Sequence, residues 1–279
     1  MAMSLAILWP LLYVGFVWWA GTALILRLNH RPEATFARSL RVGAGLAFLS
    51  LAALPLVSAT PTVSAGYAAF TLALVLWGVV EMSFLMGVIT GPRRIPSAGE
   101  RGWPRFKAAV STLLFHEIAL LSGAACIALA TLGAPNRTAL WTYCVLWAMR
   151  TSAKLNLFLG VRNFSEEFLP PPLRYLASYF RRAPMNALFP VSVTAGTALA
   201  AVLVATGLAA TPGSFAYTTN LLLGTLTALA VLEHWGLVLP ISLDALWRAR
   251  RTQASAAPAA AGLMLVASVS GEVSRRRGR

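Results

Sequence analysis

Seven ionisable side chains stand inside long apolar runs of this 279-residue chain. They are Glu81 alone, His116 beside Glu117, Arg150 four residues before Lys154, and Glu233 beside His234. A charge left unpaired in hydrocarbon is costly, so each of these groups is expected to face other polar groups inside a bundle. Arg150 and Lys154 stand at i and i+4 and share one helix face, where two cations need carboxylates. Glu81, Glu117 and Glu233 are the nearest supply. Counted from the arginine-rich ends of their apolar runs, Glu81, His116, Glu117, Arg150, Glu233 and His234 stand roughly ten residues in. At about 1.5 Å per residue this is a layer roughly 15 Å deep, near a bilayer midplane. Such a layer does one of two things: it locks helices together, or it forms a ligand or proton site.

Other chemistry is excluded or left open by spacing. A histidine on a spanning helix suits the magnesium of a chlorin, which leaves His116 and His234 open as pigment ligands. Each adjacent His/Glu pair points in two directions about 100° apart, so neither is a chelate. The run HEIAL is not HExxH, and no GxSxG, P-loop or dinucleotide fingerprint occurs. A retinal protein needs a lysine in its last helix, and the only lysine within an apolar run is Lys154. Cys126 and Cys144 read as small buried residues; similar depth on neighbouring helices leaves a bridge open without indicating one, and no metal-binding spacing occurs.

Elements that could position these groups follow from composition. The chain is 58% hydrophobic and 11% charged, with mean hydropathy +0.70, where soluble domains carry about 25% charged residues. The hydrophobic patterning predicts an all-α polytopic membrane protein with seven spans. They run near 4–26, 39–57, 65–89, 108–132, 138–160, 187–210 and 215–245, the first read as a retained helix with no cleavage site. Net charge is +14, and the basic residues sit between the apolar runs. Alternate connections hold nearly all of them, which predicts an N-terminus outside, in the periplasm, and a cytoplasmic C-terminus. Anionic lipid, not nucleic acid, is the expected counterpart.

Residues 1–250 are therefore read as one bundle and 251–279 as a basic, disordered or surface-lying cytoplasmic tail. Between the fifth and sixth spans, an acidic and proline-rich corner leads into a basic amphipathic piece near 173–183. There Leu173, Leu176, Ala177 and Phe180 oppose Arg174, Ser178 and Arg181, with Tyr175 and Tyr179 at headgroup level. It is expected to be an interfacial helix on the cytoplasmic side, with a plain loop over the bundle end as the alternative.

Three segments carry a resemblance: LLFHEIALL, LWAMRTSAKLNLFLGVRNF and EFLPPPLRYLASYFRRAPMNALFPVSV. They resemble the photosynthetic complex assembly protein family of purple phototrophic bacteria, of the PuhE type associated with the reaction-centre H-subunit operon. The likeness covers most of the chain and is strongest from Phe106 to Val193. It implies a multi-pass protein of the bacterial inner (intracytoplasmic) membrane without established enzymatic activity. It also implies a role in assembling the reaction centre with its core light-harvesting antenna, with a link to bacteriochlorophyll supply. Expected partners are reaction-centre and antenna subunits or other assembly factors. No residue roles come with the likeness, so the matching His116, Glu117, Arg150, Lys154, Asn156 and Asn186 stand as candidates. The rival reading is a transporter or channel that uses the buried charges as a relay.

Overall fold

The computed structural model describes residues 2–163 and 169–239 and is helical throughout, with no strand among those residues. The expected end of the seventh span, the acidic corner at Glu166 and Glu167 and the basic tail lie outside them. Seven long helices follow one another: α1 Ala2–Asn29, α2 Phe36–Ser58, α3 Val63–Leu85, α4 Gly102–Ala130, α5 Thr138–Leu159, α6 Leu188–Ala209 and α7 Phe215–Gly236. Two are capped by a hydroxyl at the N-terminus. Thr62 accepts from the Ala65 N–H (3.3 Å) and Ser214 from the Tyr217 N–H (3.2 Å).

Six of the seven, all but α5, are long and apolar enough to cross a membrane. α5 is as long as α6, at 22 residues, but Arg150, Lys154 and Asn156 lower its hydropathy. α3 and α7 form the centre of the bundle, with 44% and 56% of their apolar windows buried against 6% for α1. The core joins Phe70 and Trp77 of α3 to Leu120 of α4, Tyr143 of α5 and Leu222 and Leu226 of α7. The Trp77 and Tyr143 rings meet edge to face at 5.2 Å. The outward faces stay apolar: Phe16 and Trp19 on α1, Phe48 on α2 and Leu129 on α4 are exposed. Such a surface suits lipid, where apolar contact outside costs nothing.

The helices do not end at one level. The sequence carries α3 through Ile89, but it stops at Leu85. Gly87, at φ +75°, takes the left-handed position after the cap. The Gly87 N–H then donates to the Phe84 carbonyl (2.8 Å) and the Val88 N–H to the Ser83 carbonyl (2.9 Å), the two bonds of a Schellman motif. α4 starts six residues earlier than expected, at Gly102, and so extends past the end of α3. Chain from Val88 to Arg93 fills the space beyond α3. There the His116 N–H donates to the Thr90 carbonyl (2.9 Å) and the Arg93 N–H to the Ser111 carbonyl (3.3 Å).

The piece expected near 173–183 is a 3-10 helix, Pro171–Tyr179, turned onto the bundle. Three residues per turn put Leu173, Leu176 and Tyr179 on one row, and all three are buried. Leu173 and Leu176 pack on Phe84, next to the last turn of α3. Tyr179 is thus not a headgroup anchor: its hydroxyl receives a bond from Arg93 Nε (2.6 Å) and donates to the Ile95 carbonyl (3.1 Å). Arg93 also pairs with Glu100 at 2.6 Å. The Ser97 hydroxyl, the Ala98 N–H and Arg93 together hold the Glu100 carboxyl below the usual carboxylate range. Arg105 donates to the Tyr179 carbonyl (2.7 Å) and the Phe158 carbonyl (3.2 Å), which ties α4 and α5 to this cap.

Candidate functional site

Four helices bring the charged residues together. From α3, Glu81 receives Arg150 of α5 in a forked contact, Nε to Oε1 at 3.3 Å and Nη2 to Oε2 at 3.2 Å. One turn further along α5, Lys154 Nζ reaches Glu117 Oε1 of α4 at 2.6 Å. The i, i+4 spacing therefore splits the two cations between two carboxylates on neighbouring helices. Glu81 is buried and Glu117 is about a quarter exposed. The forked geometry uses the planar guanidinium in a way a lysine cannot.

The third carboxylate departs from the expectation. Glu233 joins neither ion pair; its Oε1 takes the indole N–H of Trp18 on α1 at 3.0 Å. Its neighbour His234 turns the other way and is buried. His234 Nδ1 lies 2.8 Å from the Ala230 carbonyl and therefore carries the proton, and Nε2 accepts from the Ser152 hydroxyl at 3.0 Å. His116 is fully buried with its ring 4.3 Å from that of Phe84. Its Nε2 sits 3.6 Å from Glu81 Oε1, too long for a hydrogen bond.

The layer also lies elsewhere than at the middle of every helix. Glu81 is four residues from the end of α3 and Glu233 three from the end of α7, whereas His116 is at the midpoint of α4. The pairs thus gather at the arginine-rich ends of α3 and α7. For Glu81 the early stop of α3 accounts for this.

A second polar knot lies beside the first. Asn156 Nδ2 donates to the Ser152 carbonyl and the Ser192 hydroxyl, both at 3.0 Å. Asn186 Nδ2 bonds Asn156 Oδ1 (3.0 Å) and the Gly160 carbonyl (2.9 Å), while its Oδ1 receives the Leu188 and Phe189 N–H groups. One side chain thus closes the end of α5 and opens α6. Asn186→Ala is expected to cost about 2 kcal/mol, the upper end for loss of a cap, since it orphans groups at two helix ends. Thermal unfolding of the purified variant measures this; an unchanged midpoint would contradict the assigned role.

Next to the Glu81–Arg150 pair is a cavity of about 310 Å³ between α1, α3, α5 and α7. Its walls are mostly apolar, with Glu81, Arg150, Glu233 and His234 among the lining residues. A chlorin fits poorly as a ligand of either histidine. His116 does not line the cavity, and Phe84 covers its ring. His234 does line it, but its acceptor nitrogen is used by Ser152. A cavity of this volume is also at the bottom of the range for small-molecule sites, and a whole tetrapyrrole with its tail exceeds it. Among the described residues no cluster of three His, Cys, Asp or Glu has metal-binding geometry. Cys126 and Cys144 are both free.

Sequence reading had no signal for Trp18 or Ser152 as partners, because they approach Glu233 and His234 across 215 and 82 residues. Asn186 was visible through the resemblance alone.

Sequence similarity to known proteins extends over most of the chain. A protein of Rhodobacter capsulatus described as an uncharacterized 30.4 kDa protein in the puhA 5′ region is 40% identical over 244 residues, covering 83% of this chain and 86% of that one. No solved structure matches. Residues 3–257 match the family described as protein of unknown function, DUF3623, and the chain belongs to that family.

Proposed function

We propose that this protein is a membrane assembly factor for the photosynthetic reaction centre and its core light-harvesting complex, acting as a scaffold and not as an enzyme. The resemblance read from the sequence points to the reaction-centre H-subunit operon, and the relative's description places it in the puhA 5′ region. The observation that carries the scaffold reading is that both cations of the layer are paired across helices. Arg150 and Lys154 are each spent on a carboxylate of a neighbouring helix. Toward the ends of α3 and α5 away from the arginine-rich loops, the buried residues include Phe70, Ala73, Tyr143 and Leu222 together with the threonines Thr142, Thr218 and Thr219, and among the described residues no charged side chain is buried with them. A charge relay through the bundle would need ionisable groups along its length, and the charged side chains gather at one end, so the transporter reading has less support.

In this reading α5 is the seventh crossing. Its contacts support that: it runs parallel to α3 and α7, through Trp77–Tyr143 and Glu81–Arg150 on one side and Ser152–His234 on the other. The arginine-rich ends, with the cap of residues 86–101 and 171–183, then face the cytoplasm of a bacterial inner membrane, where assembly partners are met.

Deleting the gene in a phototrophic host tests the proposal. Whole-cell absorption spectra are expected to lose the core antenna and reaction-centre bands while extracted pigments keep their normal profile. Accumulation of one pigment precursor would instead indicate an enzyme, and unchanged spectra would reject the assembly role.

A further inference from the structure

The cavity between α1 and α5 has polar capacity that the ion pairs leave unused. Arg150 spends Nε and Nη2 on Glu81, and its Nη1 makes no hydrogen bond among the described residues. Its side chain is about a third exposed, at 36%, on the side of the cavity it lines. Glu233 is exposed as well and lines the same cavity, with Trp18 as its one hydrogen-bond donor among the described residues. A donor and an acceptor thus face one small space whose other walls are Val17, Ile25, Leu74, Trp77 and Met149 among others. Within mostly apolar walls, each group gains from a hydrogen-bond partner.

Charge selects the class of partner. Arg150 is already matched by Glu81, so an anionic headgroup would meet Glu81 and Glu233 together. A cationic one would meet Arg150. A hydroxyl both donates and accepts, and satisfies Glu233 and Arg150 without a net charge. We propose that this cavity binds one uncharged, long-chain alcohol of acyl or isoprenoid type, with its hydroxyl between Glu233 and Arg150 and its chain along α1. The inference is independent of the assembly role and stands if that role fails.

Photolabelling tests it on the full-length protein in nanodiscs. The probes are hexadecanol carrying a diazirine in its chain and the matching hexadecane. The alcohol is expected to label residues of α1, α5 and α7 around the cavity at roughly tenfold lower concentration than the alkane, the effect of one good hydrogen bond in a dry site. Unlabelled hexadecanol should compete. Gly21 lines the cavity, and a side chain there meets open space. Gly21→Leu is therefore expected to block labelling with thermal stability unchanged or raised. Glu233→Leu is expected to remove the preference for the alcohol while alkane labelling persists; if that variant does not fold, Gly21→Leu alone decides. Equal labelling of the native protein by both probes, or labelling indifferent to Gly21→Leu, would overturn the site. Mass spectrometry of the organic extract from natively purified protein then separates an acyl from an isoprenoid chain.

Discussion

Replacing Arg150 by methionine is expected to destabilise the bundle by roughly 3–5 kcal/mol, the cost of breaking a buried ion pair by removing one partner. The penalty arises at Glu81, not at Arg150. Glu81 is only 8% exposed and would keep its carboxylate with His116 Nε2 at 3.6 Å as the nearest substitute. Arg150 itself is partly open to the cavity, so its own desolvation contributes less. The reverse change, Glu81→Gln, leaves a guanidinium that still reaches toward Glu233 and is expected to cost less. The pair Glu81→Gln with Arg150→Met removes both charges and should recover most of the loss, giving a coupling of about 2 kcal/mol or more in a double-mutant cycle. Unfolding in detergent, followed by circular dichroism, reads all four corners. Additive single effects would mean the contact is not an energetic pair. The same double variant separates two roles. If the layer only locks helices, a stable double variant supports normal levels of core complex. If it relays protons or solutes, that variant is stable and inactive.

That Arg150 and Lys154 need carboxylates follows from the cost of charge in hydrocarbon, and they find them. Which carboxylate takes which cation does not follow, because three glutamates stood at similar expected depth. The distance of Glu81 from its helix end differs from the roughly ten residues expected, for a local reason. Val88 and Ile89 continue the apolar run of α3, so hydropathy carries the helix through them, whereas Gly87 ends it with two backbone bonds. That glycine was the available signal, and hydropathy outweighed it. An α-helical period puts Leu173, Leu176, Ala177 and Phe180 on one face and leaves Tyr179 at headgroup level. After three prolines the chain winds as a 3-10 helix, and the shorter period turns Tyr179 inward. The Trp18–Glu233 contact depends on how α1 seats against α7, which no local pattern encodes.

Gly91→Ala is expected to be as damaging as loss of Arg150, though it adds one methyl group and removes no contact. Gly91 is buried in the chain segment that pairs with the backbone of α4. A Cβ there would collide with the Ser111 carbonyl oxygen and stand 2.5 Å from the Thr112 carbonyl carbon. These are backbone atoms of a helix interior, which cannot rotate aside as a side chain would. Either the segment lifts away or α4 shifts, and each movement breaks specific bonds. Lifting loses the Thr90–His116 and Ser111–Arg93 backbone bonds. It also withdraws Arg93 from Tyr179 and Glu100, which unseats the 3-10 helix. Overpacking of this kind costs typically 1–3 kcal/mol and more where no relaxation is open, so about 3 kcal/mol is expected here. Ala98, in the same connection but exposed, offers a control: Ala98→Ser should change nothing. Hydrogen exchange tests the mechanism as well as the magnitude. Amides of residues 88–93 and 173–179 should lose protection together in Gly91→Ala, while those of α6 and α7 keep theirs. Protection lost evenly across all helices would show that the segment is not a separate cap on the bundle. Full retention of protection would show that the backbone of α4 can yield, and that the close approach at Gly91 is not what holds the cap in place.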